Sequence, residues 1–530
     1  MKKTVLLLLT FGLTLAAFCQ KTIPQQLDEL MTAYNKVNMF NGVVLVAQKG
    51  NILLEKSYGV QNVQAIFQIY SVTKTFTSAV ILKLAEQKKL SLADKLSKFY
   101  PAFPKGDSIT IAHLLSHTSG IYDYTRGNNM PDQSEQSFIQ FIQTRPLDFS
   151  PGNGWAYSNS GYWLLGFIIQ KVTGMPYEDA VRTYIFKPLH MNNSGFGFKE
   201  LVNKNKTTGY AVFTNHYKKE AVVYAAPGPY AAGAIYSTVG DLYKYHKGLQ
   251  QFNIISEASL KKAYQPVKNN YGYGWIIGSF NGKQVVSHSG GAAGYRSNFA
   301  RIPEDDVCII LLNNTENANV ELITKNLLGV LYNQPYKIPT EINLPATVLA
   351  QYTGAFAVKP GFTMYITTHD DRLAAQASGQ AKTILLAEKN NYFFAEEANG
   401  FVEFVKDESG NFNELIIHQG GQQIKGQRIY PTWGITGTAT SKGWDEKIPD
   451  IAFTGDSTKK GIWRLNNITL KNGELVFRLN NDWGYHYGDN GGDKQLDMYG
   501  KDIQVEAGTY DIVLDFTDEF APKYSITKKE

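Results

Sequence analysis

Apolar and polar positions along this chain change rhythm twice. Residues 43–47 and 52–54 are apolar runs on either side of Lys49-Gly50-Asn51, the pattern of a strand, a tight turn and a returning strand. Phe76, Val80, Ile81 and Leu84 recur at helical spacing, so the stretch following Ser71 predicts an amphipathic helix over 75–84. Residues 161–172 are almost wholly apolar and predict a second helix, stopped at Gly174. Residues 284–286, 298–302 and 307–312 are short β-type runs separated by Gly-rich or Pro-Glu-Asp-Asp turns. Strands at both ends with helices between them predict one mixed domain whose sheet joins distant segments.

The rhythm breaks at Pro339 and Pro345, a linker pattern, and helical periodicity ends there. Residues 364–368, 382–386, 392–395, 401–406 and 414–418 are strand-length runs at short intervals, as in a small barrel or sandwich. A second break at Tyr430-Pro431 precedes a tail that is again all-β and holds Trp433, Trp444, Trp463 and Trp483. The expected division is a signal peptide at 1–20, a mixed α/β domain at 21–340, a barrel-like accessory domain at 345–430 and a β-sandwich at 431–530.

Composition narrows the class. The 530 residues are 43% hydrophobic and 19% charged, enough for several packed cores and against intrinsic disorder. Net charge is +5 without a basic run, so nucleic acid is not an expected partner. Lys2 and Lys3 precede an apolar run over 5–18, the form of an export signal rather than a membrane span. The protein is therefore expected to be periplasmic, secreted or outer-membrane-associated, with no transmembrane segment. Cleavage near Gln20 is favoured over lipidation at Cys19, because the bulky Phe18 stands where a lipoprotein signal carries a small residue. Cys308, inside an apolar run, then reads as a core hydrophobe.

The candidate chemistry starts at Ser71-Val72-Thr73-Lys74. One helical turn puts serine and lysine on one face, where an amine made less basic by burial can take the hydroxyl proton. Ser-x-x-Lys also occurs at Ser259, Ser457 and Ser525, but only Ser71 is followed by a helical pattern and by two further motifs. Tyr157-Ser158-Asn159 opens the second helix. Tyr157 would move protons if nearby cations lowered its pKa, and Asn159 would anchor Lys74 or a substrate carbonyl. In His288-Ser289-Gly290-Gly291 the glycines admit a substrate backbone. The Gly291 N–H would complete an oxyanion hole with that of Ser71, and His288 or Ser289 would bind a polar group.

These motifs, with the run from His113 through His117 to Gly120 and Tyr271-Gly-Tyr-Gly-Trp275, resemble the serine β-lactamase-related hydrolases. That superfamily contains penicillin-binding proteins, class C β-lactamases, D-aminopeptidases and β-lactamase-like esterases. The resemblance spans roughly residues 24–332 and implies an α+β fold: an antiparallel sheet flanked by helices plus a helical subdomain, here followed by two small all-β domains. It implies Ser71 as acylated nucleophile, Lys74 as general base, Tyr157 as proton-transfer partner, Asn159 as orienting group, and His288, Ser289 and Gly290 as substrate strand. His-Ser-Gly stands where β-lactamases and transpeptidases usually carry Lys-Thr-Gly, so less positive charge meets a substrate carboxylate.

His113 and His117 lie at i and i+4 without a third ligand, and the resemblance gives their segment a structural role; neither metal nor organic cofactor is expected. Residues 349–428 resemble the β-domain often appended to this family. The tail resembles SusE/SusF-type starch-binding domains, which implies a possible glycan partner, with Arg478 or Lys494 meeting hydroxyls. The expected activity is hydrolysis, through an acyl-enzyme, of an ester or D-amino-acid-containing peptide or amide. A class C-like β-lactamase or penicillin-binding DD-peptidase is the alternative, and from another class a glycan-binding protein on an inactive hydrolase scaffold.

Overall fold

The structure, a computed structural model, describes residues 21–126, 134–224, 228–359, 361–459 and 461–529. The expected export signal and Cys19 lie outside the described residues. Among those described, no helix is long and apolar enough to cross a membrane.

The first part is an α+β fold built on a five-stranded antiparallel sheet. Its order is Gly42–Gln48, Val307–Asn313, Tyr295–Ile302, Lys283–Ala292 and Ile276–Phe280. The first strand pairs with the one near the end of this part, Gly42 opposite Asn313 and Gln48 opposite Val307, so the fold closes between distant segments. Asn51–Tyr58 returns beside the first strand after Lys49 and Gly50, both at positive φ.

Strand Gly42–Gln48 is apolar at nearly every position because both sheet faces are covered. Val43 and Leu45 join the core formed with the central helices, whereas Val44 and Val46 join a second core with Leu27, Leu30 and Met31 of helix Ile23–Lys36 and Leu327 of helix Val320–Leu331. Cys308 is buried in the first core as a free thiol.

Helix Thr73–Glu86 departs from the amphipathic expectation. Residues 73–82 and 84 are all buried, leaving no polar outer face. Three hydroxyls explain how a helix carrying Thr75, Thr77 and Ser78 tolerates this: Thr75 donates to Val72 O, Thr77 to Ala231 O and Ser78 to Tyr273 O. The second expected helix runs Asn159–Thr173 and ends on Gly174 at φ 70.

The stretch expected as a linker is fastened to the next unit. Arg372 makes two hydrogen bonds to Glu341, at 2.8 and 2.7 Å, and Lys337 pairs with Glu388 while lying 3.6 Å from the centre of the Phe394 ring. That unit is a closed barrel of eight strands, from Gly354–Lys359 to Gln422–Ile429, the last pairing with the first through Ala355 and Ile429. The tail has one sheet through Trp433–Thr436, Gly473–Leu479 and Asp482–Gly488, and another through Ile462–Leu470, Gly508–Asp515 and Lys523–Lys528. Phe477, Ile512 and Leu514 lie in the core they share.

Candidate active site

The strand Phe67–Gln68 leads into a tight turn at Tyr70–Val72, and helix Thr73–Glu86 follows directly. Ser71 therefore sits inside the turn that enters the helix. Tyr70 holds φ 42, an unfavourable value for an aromatic residue, and the turn is pinned by Ser297 Oγ and by Ile69 N, which donate respectively to Ile69 O and Ile235 O.

Lys74, one turn on, is fully buried. Its Nζ lies 3.0 Å from Ser71 Oγ, 2.8 Å from Asn159 Oδ1 and 2.8 Å from Ala232 O. The last two atoms can only accept. A neutral amine thus spends its two hydrogens on Asn159 and Ala232 and turns its lone pair toward the Ser71 hydroxyl. Burial pulls the Lys74 amine down to about 7, against the opposing field of Asp123, so both protonation states are populated near neutrality.

Tyr157 Oη donates to Ser71 Oγ at 2.9 Å. The condition set from the sequence, nearby cations lowering the pKa of this phenol, is not met. Burial outweighs its neighbours and pushes its pKa up, so Tyr157 is a neutral donor. The chain brings Tyr157 and Asn159 here because Ser158 caps helix Asn159–Thr173, its hydroxyl accepting from Gly161 N.

The third motif lies on strand Lys283–Ala292, at the end that projects past Ile276–Phe280. Gly290 packs flush on the Ser71 turn: a Cβ there would lie 2.1 Å from Ile69 O and 2.9 Å from Ser71 N. Gly291 lines a cleft of about 370 Å³ together with Ser71, Tyr157, Asn159, Tyr124 and Tyr224. Ser289 is half-buried. His288 departs from the expectation of a side chain turned to the substrate. It is buried, with Nδ1 2.7 Å from Ser289 O and Nε2 2.9 Å from Tyr271 Oη, and burial pulls its pKa down to about 3. Its ring braces the wall from behind, neutral.

Two site groups escaped sequence reasoning. Ala232 contributes only a carbonyl. Asp123, just beyond the His117-Thr118-Ser119-Gly120 run, accepts from Asn159 N and Nδ2 at 3.3 and 3.1 Å. His117 is buried beneath Tyr157 with ring centres 4.3 Å apart, and its Nδ1 accepts from Ser158 N. His113 is half-buried and closes the cap of its own short helix. Among the described residues, one group is arranged as a metal could use it: exposed His216 with Asp370 and Asp371, far in sequence from the serine.

Comparison with known proteins agrees with this architecture. Residues 27–334 match the family model described as Beta-lactamase, and 339–428 match a domain of unknown function, DUF3471. Penicillin-binding protein 4* of Bacillus subtilis (strain 168) is 28% identical over 441 residues, covering 75% of this chain and 97% of that protein. The putative penicillin-binding protein PbpX of the same organism is 30% identical over 274 residues, 49% of this chain and 68% of its own length. The octameric penicillin-binding protein homologue from Pyrococcus abyssi superposes with TM-score 0.55 at 26% identity, over 76% of this chain and 99% of that one.

Proposed function

The chain belongs to the Beta-lactamase family and is a serine hydrolase of that family, and on this premise we propose that it is an exported enzyme acting through an acyl-enzyme on an ester or a D-amino-acid-containing peptide or amide. The observation that carries the reading is the single hydroxyl of Ser71 held between a buried amine at 3.0 Å and a neutral phenol at 2.9 Å. Neutral Lys74 takes the Ser71 proton as Oγ attacks the substrate carbonyl carbon. The N–H groups of Ser71 and Gly291 receive the developing oxyanion. As the tetrahedral intermediate collapses, Tyr157 gives its proton to the leaving group and regains one from the Lys74 ammonium. Water then attacks the acyl-enzyme through the same groups in reverse. Asn159 orients Lys74, and the backbone of His288, Ser289 and Gly290 gives the substrate its edge. The working domain is 21–340, with accessory domains at 345–430 and 431–530 and the export signal at 1–20.

Two features favour substrates without a carboxylate over β-lactams. A buried, uncharged His288 stands at the lysine position, and no charged side chain is among the described residues lining the cleft. A panel of p-nitrophenyl esters, D-aminoacyl amides and nitrocefin tests this. Turnover of an ester or amide at least tenfold above nitrocefin in kcat/KM is expected; nitrocefin as the best substrate contradicts it.

A second reading concerns the tail. Trp483 is 37% exposed and lies 5.8 Å from Trp444, the two rings inclined at 38°, as an aromatic platform for a sugar would be. Arg478 is not free to meet hydroxyls as expected: it is buried, bonded to Asp450, and lies beneath Trp483 at 4.4 Å. Lys494 is exposed. Retarded migration in a starch gel, abolished by Trp483→Ala, is the expected result, and equal migration with and without starch refutes glycan binding.

A further inference from the structure

We propose that Asp123 is a positioning residue that sets the basicity of Lys74 through the side-chain amide of Asn159. The proposal rests on the reading of Ser71 as nucleophile and Lys74 as its base.

Asp123 is 4% exposed, and such a carboxylate needs compensation. Among the described residues it receives four hydrogen bonds, all from neutral donors: Thr125 N and Oγ1 on one oxygen, at 3.0 Å each, and Asn159 N and Nδ2 on the other, at 3.3 and 3.1 Å. No cation touches it among the described residues. Arg126, two positions beyond the Tyr124 neighbour, is engaged with Asp148 at 2.7 Å. The Asn159 amide has its orientation fixed from both ends, Nδ2 toward the carboxylate and Oδ1 toward Lys74 Nζ at 2.8 Å. A single amide thus joins a buried anion to a buried amine.

The surroundings of Lys74 make this link consequential. His117 and His288 face it and are held neutral by burial, while Tyr157, Tyr162 and Tyr271 are held as protonated phenols. Asp123 is the charge that acts on Lys74, and it favours the ammonium form. Desolvation alone would leave the amine a weaker base. The carboxylate one amide away keeps it poised near the pH at which it must both accept and return a proton. An asparagine fixed by Lys74 alone could also rotate, whereas one clamped by Asp123 cannot.

The test is the rate of Ser71 phosphonylation by a fluorophosphonate, with loss of fluoride, measured against pH, in the native protein and in D123N, D123S and D123E. Lys74 works as a base only when neutral, so removing the anion lowers the pKa and moves the acid limb of the profile to lower pH. A displacement of about one pH unit is expected in D123N, the low end of the effect of a single nearby charge, and D123E, which keeps the charge, keeps the limb near its native position. D123S removes the charge without introducing a second amide, and gives the same readout if D123N fails to fold. A limb that stays in place while the plateau falls overturns the proposal, because a purely structural role would lower the rate without moving the pH dependence. Ser71→Ala runs beside these variants: labelling that survives it refutes the nucleophile assignment itself, and the proposal with it, by a result distinct from an unmoved limb.

Discussion

Ser71 is made reactive in this account by its neighbours' lack of alternatives. Lys74 can place its lone pair only on the serine, because Asn159 and Ala232 consume its hydrogens, and Tyr157 rests as the neutral phenol because burial raises its pKa. Gly290 matters through what it lacks. In Gly290→Ala the new methyl meets two backbone groups, Ile69 O at 2.1 Å and Ser71 N at 2.9 Å, neither of which can swing away. The strand and the serine turn must separate, and a shift of about 1 Å at a reacting centre costs about 100-fold in rate. Acylation should fall by that order while near-UV circular dichroism retains its native form; an unchanged rate would mean that this contact is not part of the site. That Ser71, Lys74, Tyr157 and Asn159 meet was legible in the sequence, because their residue types and order match the motifs of the resembling family. Asp123 was not, since its meaning depends on an amide 36 positions away, and Ala232 was not, since only its backbone acts, 158 positions from Lys74.

At the level of elements, periodicity found the helices and misjudged the environment of one. Spacing of Phe76, Val80, Ile81 and Leu84 marks a helix, but the intervening Thr and Ser residues read as a solvated face until their hydroxyls are traced to Val72 O, Ala231 O and Tyr273 O. A helix buried on all sides is what holds Lys74 away from water, so this misreading concealed the physical origin of its lowered pKa. In the barrel, five runs were recognisable. Gly354–Lys359 was missed, as were Arg372–Ala377, which is rich in alanine, and Gln422–Ile429, where polar residues dominate; each is a strand through pairing with its barrel neighbours rather than intrinsic preference.

For the whole molecule, the units that follow the hydrolase are not loosely tethered. Leu386 and Phe394 of the barrel belong to the same buried cluster as Leu27 and Leu327, so the barrel completes a core that the first part leaves open. The barrel in turn meets the tail, where Tyr365 and Tyr485 rings lie 4.3 Å apart. Prolines at 339 and 345 suggested separation, and the ion pairs of Lys337 and Glu341 with the barrel show why an irregular segment is still fixed in place. The proposed mechanism turns on one hydroxyl and the amine beside it, with that amine half-protonated near pH 7. Its most direct test is the rate at which a fluorophosphonate forms a covalent adduct, followed by intact mass and peptide mapping across pH 5 to 9. The expected result is one adduct per chain on the peptide bearing Ser71, its rate rising through an inflection at about pH 7 as Lys74 loses its proton. An adduct on another residue, or a rate flat across that range, would contradict the account.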